Sequence, residues 1–264
     1  MTSQSQVSDS WVNSPQGRPF VRHWRPATPK ADAAPILLLH DSLGCVELWR
    51  DFPAQLCAAS GREVIAYDRL GFGRSAPRSA PLPLDFISEE ARSFFPLLRQ
   101  QLGLQQVIVF GHSVGGGMAV NIAAESGSDC LALITVSAQA FVEQQTLDGI
   151  RSAQQQFRDP QQFGRLQKYH GDKANWVLNA WIDTWLNPAF ANWSLAPQLP
   201  RVMCPLLVIH GEFDEYGDQR QPQMLVEHSG GPARLEIMSD TGHIPHREQP
   251  QRLLQLVAGF IQGI

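Results

Sequence analysis

Apolar residues recur along this chain in two rhythms. Short β-type runs, five of them nearly continuous apolar stretches, occupy positions 20–24, 36–40, 63–68, 106–111, 131–136, 206–210 and 234–238. Between them lie longer stretches whose apolar positions return every three or four residues: 46–60, 87–102, 114–126, 221–228 and 249–261. The first rhythm predicts strands and the second amphipathic helices. A strand that is apolar on both faces needs cover on both faces. The alternation therefore predicts an α/β fold, with a mostly parallel central sheet and helices on either side. Pro96 lacks an amide proton and should kink or end the helix it interrupts.

The alternation stops over 138–199. That stretch has no strand-like run, starts Gln-rich and helical, and holds Trp176, Trp181, Trp185 and Trp193. It reads as a helical cap inserted into a core made of 18–137 and 200–264. Residues 1–17 are polar and are expected to be loose. Trp181 and Trp185 stand four apart and share a helix face. Ordinary packing explains most tryptophans, but Trp176, Trp181 and Trp185 are also candidates to line a pocket beneath such a cap.

Composition narrows the class. The chain has 264 residues, 43% hydrophobic and 17% charged, enough apolar material for a large core and too little charge for a disordered chain. Its formal net charge is −4 and it has no basic tract, which argues against binding a phosphate backbone. The apolar runs are strand-sized, too short to cross a membrane. The first residues, Met1-Thr2-Ser3-Gln4, lack the basic and apolar segments of a secretory leader, so a cytoplasmic location is expected. Cys45, Cys57, Cys130 and Cys204 show no CxxC spacing. They read as reduced, mostly buried small residues, and no metal or cofactor is expected.

The run 106–110 leads into Gly111-His112-Ser113-Val114-Gly115, followed by a helical stretch. This is G-x-S-x-G between a strand and a helix. It predicts a sharp, strained turn that exposes the Ser113 hydroxyl at the positive end of the helix. A Cβ at position 111 or 115 would strike the neighbouring strand or helix. The Val114 amide would then point to where an oxyanion forms. The alternative is a glycine-rich helix start with a capping serine. A serine hydroxyl needs a base, and the base needs an orienting group. The chain offers both after strand-like runs. Gly211-Glu212-Phe213-Asp214-Glu215 follows one, and Gly242-His243-Ile244-Pro245-His246 follows another.

With His40-Asp41-Ser42-Leu43-Gly44 and Asp68-Arg69-Leu70-Gly71-Phe72-Gly73-Arg74-Ser75, these ordered motifs resemble the α/β-hydrolase superfamily over residues 20–264. The likeness is to its capped branch of esterases, lactonases and carbon–carbon bond hydrolases, including the valacyclovir-hydrolase-like and enol-lactonase-like members. The resemblance implies Ser113 as nucleophile, Asp214 as acid and His243 as base. Glu212, Glu215 and Asp218 are neighbouring alternatives for the acid, and His246 is a rival base better suited to a supporting or surface place. The resemblance also implies an oxyanion hole from the backbone amides of Ser42 and Val114. Asp41 departs from the family pattern, which usually has glycine there. A carboxylate beside an oxyanion is repelled, so Asp41 is expected to point away. The 68–75 turn reads as a structural loop held by Arg–Asp contacts and two glycines.

The implied reaction is hydrolysis of a small to medium carboxylic ester, lactone or thioester through an acyl-enzyme on Ser113. The alternatives are a carbon–carbon bond hydrolase using the same three residues, and a weakly catalytic ligand-binding protein of this fold. The aromatic residues of the insertion favour a small-molecule substrate with an apolar or aromatic part. No nucleic-acid or membrane partner is expected, and the protein is expected to be a monomer or homodimer.

Overall fold

The apolar runs pair into one sheet of eight strands. The computed structural model describes residues 5–28, 30, 33–78 and 80–264. In chain order the strands are β1 (Gln6–Trp11), β2 (Phe20–Arg25), β3 (Ile36–Leu39), β4 (Val64–Asp68), β5 (Val107–His112), β6 (Cys130–Val136), β7 (Leu206–Gly211) and β8 (Ala233–Met238). Their order across the sheet is β1-β2-β4-β3-β5-β6-β7-β8. β1 and β2 run antiparallel to their neighbours, and the other six are parallel. Strands β3 to β7 are the buried ones, as continuous apolar runs require.

Helices cover both faces. On one face α1 (Phe52–Ser60) and a C-terminal helix, Pro250–Ile261, bury Phe52, Leu56, Leu253, Val257 and Ile261 against alternate residues of β3, β5, β6 and β7. Each such side chain contributes about 1.5–3 kcal/mol by leaving water. The other face carries α2 (Phe86–Glu89), α3 (Phe95–Leu102) and α4 (Val114–Ser126). A π-helical turn, Glu90–Phe94, joins α2 to α3, and Pro96 sits at the restart of α-helical geometry. A residue without an amide proton fits a first turn, so the expected kink takes this form.

Two segments differ from the sequence reading. Residues 6–11, expected within a loose N-terminal segment, form the edge strand β1, paired from Gln6↔Arg25 to Trp11↔Phe20. Arg22 and Arg74 both bind Asp9 on this strand. Positions 1–4 of that segment lie outside the described residues. The stretch 46–60 is a 3-10 turn, Val46–Trp49, followed by α1 rather than one helix.

Between β6 and β7 the chain forms α5 (Gln144–Gln156), α6 (Pro160–His170) and α7 (Ala174–Trp185). Asp159 caps α6 by accepting the Gln161 amide, with Pro160 next in line. Beyond β7 come α8 (Arg220–His228) and, after β8, α9 (Pro245–Glu248) and α10, the Pro250–Ile261 helix. The loops that leave the carboxyl ends of β3, β5, β6, β7 and β8 meet beneath α5–α7.

Candidate active site

Strand β5 hands the chain to α4 through Ser113, whose backbone has φ 56° and ψ −126°. A non-glycine residue held there is strained by roughly 1–3 kcal/mol. Two glycines let the bend close. A Cβ on Gly111 would lie 2.1 Å from the Gly115 carbonyl, and one on Gly115 would lie 2.3 Å from that of Leu39. The bend therefore seats α4 directly against β3 and β5.

The Ser113 hydroxyl lies 3.0 Å from Nε2 of His243. On the other side of the ring, Nδ1–H donates to both Asp214 oxygens, at 2.8 and 2.9 Å. The three side chains come from the ends of β5, β7 and β8 and are 5–7% exposed, so water competes little for these bonds. Asp214 also accepts the Tyr216 amide at 2.9 Å. His112 donates from Nε2 to the His243 carbonyl at 2.8 Å and so ties the histidine loop to the serine bend. Gly211 lets the loops of β7 and β8 meet, since a Cβ there would stand 2.1 Å from the Gly242 carbonyl.

Electrostatics follow from this packing. Burial alone pushes the His243 pKa down. The Asp214 carboxylate, by charge and hydrogen bond, and then Glu215 and Asp41 outweigh burial and raise it above 6.5. For Asp214 burial pushes up, but the charge and bond of His243, then His210 and the Tyr216 amide, pull it below 3.8. The pair is thus biased towards an imidazolium beside a carboxylate, the charges the ring must carry after accepting a proton.

The neighbouring candidates occupy other places. Glu212 accepts the Asp240 amide, Asp218 pairs with Arg220, and Glu215 accepts the His243 backbone amide at 3.3 Å. His246 is buried rather than on the surface. It packs 4.7 Å from the Trp49 ring and 4.9 Å from that of His112. Burial first, then the charge of His112, Arg247, His243 and Arg50, hold it well below 6.5. His210 donates to the Gly217 carbonyl at 2.9 Å and stands 3.8 Å behind Asp214.

The amide of Val114 is at the first turn of α4, where intrahelical acceptors are lacking. Among the described residues, neither it nor the Ser42 amide has a protein acceptor, and Ser42 and Ser113 face one cavity. Asp41 does not turn away from that cavity but lines it. Its carboxylate folds over its own loop, where a Cβ on Gly44 would lie 1.9 Å from Oδ1. Arg69 holds the Asp41 carbonyl at 2.7 Å, and His40 holds it at 2.8 Å. In the 68–75 turn Asp68 accepts backbone amides, from Val46 at 2.6 Å and Arg74 at 2.7 Å, rather than a guanidinium.

The cavity measures about 510 Å³. Trp181 and Trp185 line it, with Ile150, Phe157, Leu166 and Tyr216. Trp176 does not. Its ring packs on Phe72 at 5.6 Å and over Gly71, where a Cβ would stand 2.3 Å from the indole, and its Nε1 donates to the Ala80 carbonyl. That tryptophan fastens the helical insertion to the 71–80 loop. Sequence reasoning missed Gln139, which lies just beyond β6. It is 4% exposed, lines the cavity and accepts from the Ser113 hydroxyl at 3.3 Å. It also missed Tyr216, whose ring sits 4.8 Å from that of His243. No motif marks either residue.

A sheet with this strand order, a strained serine bend after the central strand and a histidine–carboxylate pair on later loops define an α/β-hydrolase. The chain belongs to the alpha/beta hydrolase fold family, whose model matches residues 34–250. It is 28% identical over 243 residues to the serine hydrolase BPHL of Mus musculus, covering 86% of this chain and 79% of that protein. The solved proline iminopeptidase of Mycobacterium smegmatis superposes with a TM-score of 0.73 at 22% identity, covering 97% of this chain and 98% of its own. The enol-lactonase of Burkholderia xenovorans LB400 does so with a TM-score of 0.72 at 18% identity, covering 96% and 100%. At those identities the two structures speak for the fold alone. Among the described residues no helix is long and apolar enough to cross a membrane.

Proposed function

We propose that this protein is a serine hydrolase that cleaves a small to medium carboxylic ester, lactone or thioester through an acyl-enzyme on Ser113. One observation carries the reading: a buried, continuous chain of hydrogen bonds from the Ser113 hydroxyl through His243 to Asp214.

Its chemistry follows the charges. As the Ser113 oxygen attacks the carbonyl carbon, His243 Nε2 takes the hydroxyl proton and Asp214 balances the imidazolium. The carbonyl oxygen gains negative charge within reach of the Val114 and Ser42 amides, which have no competing acceptor among the described residues. His243 then returns its proton to the leaving group, and the acyl–oxygen bond to Ser113 remains. Water repeats the sequence and releases the acid. Helices α5–α7 act as the cap, with Trp181, Trp185 and Ile150 shaping room for an apolar or aromatic acyl part.

Ser113→Ala should lower kcat about 10⁴-fold or more while the fold is retained. Steady-state hydrolysis of a 4-nitrophenyl ester, beside circular dichroism of the variant, measures this. Turnover surviving in the alanine variant would refute the serine mechanism.

A further inference from the structure

Arginines on the surface of this protein are commonly matched to carboxylates: Arg22 with Asp9, Arg78 with Glu89, Arg99 with Asp129, Arg201 with Glu125 and Arg220 with Asp218. Four further cations gather at the active-site cavity. Arg50, Arg165, Lys168 and Arg247 all line it, and among the described residues none is ion-paired. The chain as a whole is acidic, with a formal charge of −4, yet this cavity gathers these four cations against two acids, Asp41 and Glu215.

Arg247 is the best fixed of the four. It lies on α9, four residues after His243, and is half-buried. Its Nη2 donates to the Leu48 carbonyl at 3.0 Å, which pins one edge of the guanidinium. Its Nε is buried without a partner. Arg50 stands two residues beyond Leu48 in a left-handed conformation, φ 53°. The Arg247–Leu48 bond joins α9 to the segment that carries Arg50, and Leu48, Arg50 and Arg247 all line the cavity. Arg165 and Lys168 come from α6. Arg165 donates to the Gln162 side-chain oxygen at 3.2 Å, and Lys168 lies over the neighbouring Tyr169 ring.

The two acids of the cavity lie towards its reacting end. Glu215 holds the His243 amide, and Asp41 covers Gly44 beside Ser42. The cavity therefore carries its acids near His243, with apolar walls of Trp181, Trp185 and Leu166 and a set of free cations besides.

We propose that this cavity takes a substrate with an anionic group, a carboxylate or a phosphate, at the end away from the scissile carbonyl, bound by Arg247 and Arg50 with Arg165 and Lys168 adding their charge. The inference rests on the hydrolase reading above. Guanidinium groups match both oxyanions with paired hydrogen bonds, and in a partly enclosed site such bonds are stronger than on open surface. The apolar walls would hold the linking part of the molecule.

The test compares esters that differ only in that distal group. On the acyl side the pair is 4-nitrophenyl pentanoate and mono-4-nitrophenyl glutarate. On the alcohol side the set is the butanoates of 1-pentanol, 5-hydroxypentanoate and 5-hydroxypentyl phosphate. An anionic member should exceed its neutral partner by about tenfold or more in kcat/KM on at least one side. The better anion identifies carboxylate or phosphate. That preference should shrink about fivefold or more in Arg247→Gln and in the exposed Arg50→Gln, and again as salt rises from about 0.02 to 0.3 M. Labelling of Ser113 by a fluorophosphonate separates the two ideas. If Ser113 labels and neutral esters turn over as well as anionic ones in both series, the anion subsite is wrong and the hydrolase stands. If Ser113 neither labels nor turns over any ester, the hydrolase reading fails and the subsite fails with it.

Discussion

The carboxyl edge of the sheet and the helical insertion above it contribute to the same cavity by different means. At the sheet edge, side chains are placed by backbone. Ser113 is held at φ 56° in a bend that Gly111 and Gly115 let close, and His243 and Asp214 come from loops that Gly211 lets meet. In the insertion, side chains are placed by their neighbours. Trp181 leans on Tyr216 at 5.8 Å, while Trp185 packs with Phe190 and Trp193 at 5.3 and 5.6 Å. Backbone constraint fixes atoms to tenths of an ångström, which bond-making requires. Packing fixes shape, which suits the choice of acyl group. Damage at the edge should therefore appear in kcat, and damage in the insertion in selectivity.

Asp214→Asn is the most severe of the tests of that division. The amide keeps the shape but cannot balance an imidazolium, and it favours the wrong tautomer of His243. A loss of about 10⁴-fold in kcat is expected with little change in melting temperature. The pH profile adds a signed check. In the proposed mechanism His243 acts as a base only when neutral, and its pKa is raised above 6.5 by Asp214, Glu215 and Asp41 against burial. The rate should be full above that raised value and fall as pH drops through it. In Asp214→Asn the largest opposing influence is gone, so burial should carry the acid limb to lower pH. An acid limb that stays put in the variant would mean that another group sets it.

On the insertion side, Trp181→Ala should change which acyl chain is preferred. Removing the indole from the cavity wall should shift the ratio of kcat/KM for a long against a short acyl ester by roughly 10–100-fold. Trp176→Ala is its control. That ring is outside the cavity and clamps the 71–80 loop, so the ratio should stay within about twofold while stability falls by about 2 kcal/mol, read from denaturant midpoints. If both tryptophans moved the ratio alike, the boundary drawn here between clamp and pocket would be wrong.

The same division explains what could be read in the sequence. Continuous apolar runs such as 107–110 leave few options but a buried strand, and two glycines flanking a serine advertise the bend. β1 was not legible because Gln6–Trp11 is an edge strand with mostly exposed or half-exposed positions and no apolar run. It is held by pairing with β2 and by Arg22 and Arg74, contacts from far along the chain. Trp176, Trp181 and Trp185 looked alike in composition. At about 100° per residue, however, Trp181 and Trp185 lie about 40° apart on a helix, whereas Trp176 lies about 140° from Trp181. Helical phase separates the clamp from the cavity wall, but not which face meets the site. Arg247, Arg50, Gln139 and Tyr216 had no local signal, because a cavity exists only where distant segments meet.

Gln139 marks the border between the two regions and gives the smallest expected effect. It follows β6 at the start of the insertion, yet its Oε1 accepts from the Ser113 hydroxyl at 3.3 Å. The hydroxyl has one proton and two acceptors, and the shorter contact, 3.0 Å, goes to His243. A neutral hydrogen bond is worth about 1 kcal/mol net, and a longer one shared with a better acceptor is worth less. Gln139→Leu should therefore change kcat/KM by no more than about fivefold, and should change the rate of fluorophosphonate labelling by a similar factor. The two readouts matter together. Labelling reports how readily Ser113 is deprotonated, whereas turnover also needs the water step, so a loss confined to turnover would place Gln139 beside the attacking water instead of the nucleophile. A loss beyond about 100-fold in both would show that the insertion supplies part of the reacting machinery and that the division between the two regions does not hold.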